Sequence, residues 1–584
     1  MDRNTLLRAE RGVVRKTWRG RIPVALVYPN SYHLGMSNLG FQTVYESLNR
    51  FSDVVCERVF APGRFDSESR SFQGHLIRSI ESGRPLSDFD IIALSIPFEN
   101  DFPNVLSLLE SAGIAKRSLE REESSPLVLA GGITAFLNPE PIAPFVDCFI
   151  IGEAEPVLSP LLEVYRSASR KTDFLERSAR EVEGVYVPAL YDVAYADDGT
   201  ISGRTSKKDW APAHIHRMAA HDISSFETCT TITTPHTEFG SAFLVEIGRG
   251  CSHGCRFCAA GYIYRPPRLR TTDALSRCIA KRGAGADRIG LVGAAVSDLP
   301  EIGAVCKGAL TGGTRISFSS LRADAISKEI VDVMKKSGSK TATLAPDAGS
   351  ERLRRVINKG VTEQDLLDAA DLLVSSGIPN LKLYFMIGLP TERDEDVKKI
   401  VALCKKVYHR FLQRSRGKKR LGHITVSLNC FVPKPHTPFQ WAPFEDVRSL
   451  KKKIRIVRDG LKRAPNIRLH ADVPKWAYIQ TLLSRGDRRV ANLLEIVHEN
   501  NGNWPQSLKA SPLNADFFVK RERAFDEILP WDFIGHGIKK SYLVREYKRA
   551  VQEKTSPECR PGQCEICGVC SKKIIFSKEE VFFS

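Results

Sequence analysis

The chain has 584 residues, 42% of them hydrophobic and 26% charged, which gives a globular protein room for three or four domains. Its formal charge of +17 favours contact with polyanions. No run approaches the roughly 18 apolar residues of a membrane span, and no signal peptide is visible, so a cytoplasmic protein without membrane contact is expected.

Residues 1–170 read as a doubly wound, Rossmann-like α/β domain. Short runs of β formers at 22–28, 91–96, 127–130 and 148–151 alternate with helical spacing at 40–48 and from 105. Such alternation predicts a parallel sheet with ligands at the carboxyl ends of its strands, where Gly131, Gly132 and Gly152 stand. Residues 184–203 read as a hairpin turning at Asp198-Gly199, inside a 171–240 connecting region. A second alternating region, 241–460, has strand candidates at 243–247, 289–292, 316–318, 342–345, 381–387 and 425–431. Six βα units predict an open partial barrel whose following loops share one face. Residues 461–550 read as helical, and 551–584 as a cysteine-rich tail.

Seven of the fourteen cysteines fall in two clusters, and the other seven are scattered singly as expected of small core residues. Cys251, Cys255 and Cys258 have the spacing C-x3-C-x2-C directly after an apolar strand. Three thiolates can hold three irons of a 4Fe-4S cuboid, and with no fourth cysteine nearby one iron stays open. A zinc knuckle or a set of buried thiols is the bland alternative. In the tail, Cys559, Cys564, Cys567 and Cys570 supply four thiolates. These fit either a second iron–sulfur cluster or a tetrahedral zinc site. Residues 405–420 carry eight cations (Lys405, Lys406, Arg410, Arg414, Arg416, Lys418, Lys419 and Arg420) and no acid, and 448–463 are nearly as basic. They read as solvated helix faces or as an RNA-binding surface. Two proline-stiffened basic segments, 264–268 and 431–438, read as grips for an anionic substrate or as loop fixtures.

The trio, with Phe257 before its last cysteine, resembles the signature of the radical S-adenosylmethionine (SAM) superfamily. That resemblance implies a cluster whose open iron is chelated by the methionyl end of SAM, and reductive cleavage to a 5′-deoxyadenosyl radical. It implies a one-electron donor of the flavodoxin or ferredoxin type as partner. Later segments resemble the superfamily's cofactor contacts. Ser297 and Asp298 follow the second strand, Ser319 and Arg322 the third, the segment 345–352 the fourth, and Gly388 and Pro390 the fifth.

Residues 22–155 resemble the cobalamin-binding-like domain of many radical SAM methyltransferases, on Ser95, Gly131, Gly132 and the run Gly152-Glu153-Ala154-Glu155. The D-x-H-x-x-G histidine pattern is missing, because Ser31 and His33 do not match it, so cobalamin is expected without a histidine on cobalt. A degenerate domain kept for substrate or partner binding is the alternative. The favoured function is a cobalamin-dependent radical SAM methyltransferase. A methylthiotransferase-like RNA-modifying enzyme is the second reading, weakened because only Cys56 and Cys148 lie in the N-terminal region. A non-enzymatic iron–sulfur protein that binds RNA or transfers electrons is the third.

Overall fold

The computed structural model describes residues 2–62, 77–283, 285–299, 301–310, 313–319, 321–415, 421–562 and 564–570. Ser320 and the cations Arg416, Lys418, Lys419 and Arg420 lie outside these described residues.

The N-terminal sheet is built on β1 (Ile22–Tyr28), whose run IPVALVY is buried almost throughout, as a central strand covered on both faces must be. With β2 (Val54–Phe60), β3 (Ile91–Ser95), β4 (Leu127–Gly131), β5 (Cys148–Ile150) and β6 (Val185–Tyr186), it forms a six-stranded sheet of order β2-β1-β3-β4-β5-β6. Every pair is parallel except β5 with β6. The order reverses between β1 and β3, the point where a doubly wound sheet opens a crevice beyond its strand ends.

Strand β2 is absent from the sequence reading because its centre, Glu57-Arg58, looks like solvent-facing chain. Arg58 is in fact fully buried, held bidentately by Glu10 at 2.6 and 2.8 Å and by Glu81 at 2.6 Å. The predicted hairpin also divides. Val185–Tyr186 becomes the antiparallel edge of the main sheet, and only β7 (Tyr191–Tyr195) and β8 (Ile201–Ser206) pair across the Asp198-Gly199 turn. A short strand β9 (Ile215–His216) follows.

The second region opens with β10 (Phe243–Glu246), then a small antiparallel pair, β11 (Gly248–Arg249) with β12 (Arg268–Leu269), that brackets the cysteine trio. Strands β13 (Arg288–Val292) and β14 (Arg315–Phe318) extend β10 into a three-stranded parallel sheet. Strands β15 (Thr341–Asp347), β16 (Asn380–Ile387), β17 (Ile424–Cys430) and β18 (Ile467–Ala471) form a four-stranded one. Among the described residues a single parallel bridge, Leu321 to Leu344, joins the two arcs. Among the described residues the open barrel therefore has seven parallel strands, one more than the six expected. The seventh lies in the stretch expected to be helical, because β18 alternates half-buried with exposed positions and offers no apolar run to read.

Beyond it, helices Pro474–Arg485 and Val490–Glu499 return to the N-terminal domain. There Asn138 donates to the carbonyls of Ser484 and Gly486, and Arg488 pairs with Glu140 at 2.7 Å. Near the chain's end β19 (Ile534–Gly535) pairs with β9. The seven scattered cysteines are all buried, as expected. Among the described residues no helix is long and apolar enough to cross a membrane.

Candidate active site

The trio lies in the loop after β10 and β11, at the carboxyl end of the first barrel strand. Cys255 is buried, and Cys251 and Cys258 are half-buried. The loop is held by its backbone. Arg256 N–H donates to the Ile357 carbonyl at 2.9 Å, and its guanidinium caps the carbonyls of Arg355 and Val356, last turn of the helix Glu351–Val356. Asn358, in the left-handed region at φ 54°, donates from Nδ2 to the Gly254 carbonyl at 3.1 Å. Neither Arg256 nor Asn358 stood out in the sequence. Asn358 falls after a helix where a left-handed residue is ordinary, and only the fold reveals what it grips.

Without a cation the thiols are unwilling to ionise. Burial pushes Cys251 up to about 11 and Cys255 up to about 12, and raises Cys258 as well. Opposing this, the His253 N–H reaches the Cys251 thiol, and the N–H groups of Gly261 and Ala260 reach Cys258. Amides aimed at sulfur are the surroundings a thiolate-ligated cluster needs, and a bound metal supplies the charge that makes the thiolates stable. The donor set therefore fits an iron–sulfur cluster. Among the described residues no three His, Cys, Asp or Glu side chains stand at metal-holding distances from one another.

Two cations face the trio. Lys359, almost buried, pairs with Asp347 at 2.5 Å. Burial pulls the Lys359 ammonium down, yet Asp347 and Cys255 hold it above its ordinary value. Burial raises the Asp347 carboxyl against the opposing charge of Lys359. Asp347 itself is left-handed at φ 61°, a conformation costly for a non-glycine residue and concentrated at functional sites. Arg322 donates to Asp324 at 3.0 and 2.7 Å and to the Lys359 carbonyl at 3.1 Å, and its charge bears on Cys251 and Cys255.

Of the residues expected to contact SAM, the fold gathers Asp298 and Arg322 at the trio. Asp298 Oδ2 lies 2.6 Å from His253 Nε2, within the cysteine loop. Ser297 Oγ accepts from the Arg322 N–H at 3.5 Å, the limit of a hydrogen bond. Ser319 ties the ends of β13 and β14 together by donating to the Gly293 carbonyl at 3.1 Å. Gly388 and Pro390 follow β16, where the Gly388 N–H donates to Glu392 at 2.7 Å and its α-carbon faces Leu450 and Glu445. The contacts of Gly388 thus serve the turn and not the trio.

The second feature is a cavity of about 90 Å³ on one face of the N-terminal sheet. A buried water needs roughly 10–15 Å³ by this measure, so it would admit about half a dozen. Alternate residues of four strands line it, Leu26, Ala93, Ser95, Leu129, Gly131 and Ile150 among them, because side chains of one parity share one face. The helices Leu39–Arg50 and Glu155–Ser167 close its other side. Ser95, Gly131, Gly132 and Gly152 all border it at the strand ends. A Cβ on Gly131 would meet no atom within 4 Å, so this glycine leaves open space, whereas one on Gly132, at φ 100°, would sit 2.8 Å from the Ile96 carbonyl oxygen. His33 is exposed and is not part of the lining.

The cavity and the trio are joined by an ion cluster. Glu153, buried in the loop after β5, lies 2.9 Å from Arg249 and accepts from Arg268 at 3.0 Å and from the Ala220 N–H at 3.0 Å. Glu155 takes the other side of Arg249 at 2.6 Å. Arg249 stands two residues before Cys251. Burial opposes ionisation of Glu153, but Arg249 and Arg268 hold its carboxyl down at about 2. The basic segment 264–268 is therefore a fixture and not a substrate grip. Arg268 serves Glu153, and Arg265 is buried, donating to the Gly261 carbonyl at 2.7 Å. The same holds for 431–438, where Lys434 pairs with buried Glu99 and His436 is buried.

The profile described as "Radical SAM proteins, N-terminal" matches residues 40–188, and "Radical SAM superfamily" matches 245–404. The protein called "Uncharacterized protein MJ0966" from Methanocaldococcus jannaschii is 31% identical over 509 residues, 87% of this chain and 95% of that protein. A tRNA-2-methylthio-N(6)-dimethylallyladenosine synthase from Chloroherpeton thalassium is 26% identical over 208 residues, 33% of this chain and 46% of the synthase. Among solved structures, the radical SAM methyltransferase TsrM from Kitasatospora setae, with cobalamin and a [4Fe-4S] cluster bound, aligns with a TM-score of 0.44 at 12% identity, covering 84% of this chain and 99% of TsrM. The cobalamin-dependent radical SAM enzyme OxsB aligns at 0.43 and 14% identity, covering 91% and 79%. With both of its α/β regions matched and one relative aligned over nearly its whole length, the chain belongs to the radical SAM superfamily and, within it, to the family of the M. jannaschii protein.

Proposed function

We propose that this radical SAM enzyme is a cobalamin-dependent methyltransferase. In this reading Cys251, Cys255 and Cys258 hold the 4Fe-4S cluster, and Asp298, Arg322 and Lys359 surround the polar end of SAM. The observation that carries the cobalamin half is the apolar cavity at the strand ends, bordered by Ser95, Gly131 and Gly132 and bolted to the cluster loop through Glu153 and Arg249. An apolar slot behind small residues suits the flat base at the end of cobalamin's nucleotide tail. Cobalamin supplies a transferable methyl group. The chain's part would be to hold the tail, orient the cofactor and exclude water. With His33 exposed and outside the lining, no histidine is assigned to cobalt. A reducing partner of the flavodoxin or ferredoxin type supplies the electron.

The test is anaerobic reconstitution of the full chain with iron, sulfide and hydroxocobalamin, followed by gel filtration and incubation with SAM and a reductant. Co-elution of about one cobalamin per chain, with formation of 5′-deoxyadenosine, supports the reading. A folded, cluster-loaded protein that retains no cobalamin removes the methyltransferase and leaves a cobalamin-free radical enzyme.

RNA modification by methylthio transfer is less well supported. Cys56 and Cys148 are core residues on β2 and β5, with three strands of the sheet between them, and two separated thiols do not make the three-cysteine set of a sulfur-donating cluster.

A further inference from the structure

The four tail cysteines do not trail free of the molecule. The Cys559 N–H donates to the carbonyl of Ser252, the residue after Cys251, at 2.8 Å. One residue earlier, Glu558 lies 2.7 Å from His253 Nδ1, while Asp298 contacts the other ring nitrogen at 2.6 Å. Ser556 N–H donates to Asn358 Oδ1 at 2.8 Å, so the side chain that grips Gly254 also grips the tail. Arg256, between the second and third cysteines of the trio, reaches the Lys554 carbonyl at 2.8 Å and Ser556 Oγ at 3.1 Å. Residues 554–559 are thus laid along the cysteine loop.

The cysteines that follow have the local form of a metal knuckle. In Cys564-Glu565-Ile566-Cys567 the Ile566 N–H donates to Cys564 Sγ at 3.4 Å, the amide-to-sulfur contact that steadies a thiolate. Gly568 follows at φ 90°, a left-handed turn favouring glycine. A Cβ there would also strike the Lys539 side chain at 2.8 Å. The Cys567 carbonyl is fixed by the Lys539 N–H at 2.9 Å, and Cys567 and Val569 are buried at 3% and 1% exposure. Cys559, Cys564, Cys567 and Cys570 fall within twelve residues of chain.

We propose that Cys559, Cys564, Cys567 and Cys570 bind a second iron–sulfur cluster, seated against the loop that carries Cys251. Iron–sulfur is preferred to zinc because the two-residue spacing occurs twice in succession. Around a cuboid each thiolate meets its own iron, whereas one zinc would require two knuckles sharing Cys567 to converge on a single point. This inference is independent of cobalamin. The second cluster would staple the chain end that places Glu558 on His253.

The test uses the full chain, reconstituted anaerobically with iron and sulfide, in three forms: unaltered, Cys564→Ser with Cys570→Ser, and Cys251→Ala with Cys255→Ala and Cys258→Ala. The unaltered chain should hold about eight irons and eight sulfides, and each variant about four. The trio variant, once reduced, should still give the paramagnetic signal of a 4Fe-4S cluster, which tests the tail site even where the tail variant folds poorly. Amide exchange in 251–258 should quicken in the tail variant. About four irons in the unaltered chain, all lost with the trio, would overturn the proposal. So would one zinc per chain that disappears in the tail variant.

Discussion

Replacing Glu153 by Gln keeps the side chain's shape but removes the charge that joins the N-terminal domain to the cysteine loop. The carboxylate is buried at 5% exposure, with Arg249 at 2.9 Å, Arg268 at 3.0 Å and Arg217 at 3.9 Å. Holding its carboxyl down at about 2, against 4.5 in the unfolded chain, corresponds to roughly 3 kcal/mol. Removing one partner of a buried ion pair independently costs about 3–5 kcal/mol. Because the folded value is depressed, this stability is fully present above pH 4.5 and is lost as pH falls toward 2. Urea unfolding of both proteins between pH 7 and 3.5 measures it. The variant should be about 3 kcal/mol weaker at neutral pH, with the gap constant down to about pH 5 and narrowing below it. A gap under about 0.5 kcal/mol, or one that widens on acidification, refutes the view that Glu153 is an ionised keystone.

Gly131→Leu should fill the sheet cavity and weaken cobalamin retention by at least about tenfold, with iron content unchanged, as read by equilibrium dialysis and metal analysis. Gly152→Ala should destabilise the fold by at least about 2 kcal/mol in denaturant titration, since φ is 130° and a Cβ would lie 2.3 Å from the Met218 carbonyl oxygen. Cys251→Ala, Cys255→Ala and Cys258→Ala should each abolish 5′-deoxyadenosine formation, and normal product by chromatography in any one of them contradicts the assignment. RNA binding through the exposed cations Arg448, Lys451, Lys452, Arg455 and Arg458 would fall roughly twentyfold to fortyfold between 50 and 200 mM salt for three contacted phosphates. Mobility shifts that show no complex at low salt return this face to solvent.

Local chemistry made much of this protein legible from its residues alone. The trio's spacing is a property of one short loop, the strands of the first domain are continuous apolar runs, and Gly131-Gly132 ends a strand by its own conformational freedom. What stayed hidden depends on residues far apart in the chain. Strand β2 looked exposed because the acids that neutralise Arg58, Glu10 and Glu81, lie 48 and 23 residues away. Lys359 and Asn358 are ordinary in sequence, and they meet the cysteine loop only when the helix Glu351–Val356 packs beneath it. The same fold turned basic residues that looked available into fixtures. Lys453 is buried between Glu392 and Glu445 at 2.6 Å each, whereas Arg410 and Arg414 share Asp371 and keep their side chains partly exposed. Covalent spacing and apolar periodicity are written along the chain, so the sequence by itself determined the apolar strands and the cysteine trio. Charge pairing is settled across space, so only the tertiary structure decided which ionic groups are spent on the fold and which surround the candidate site.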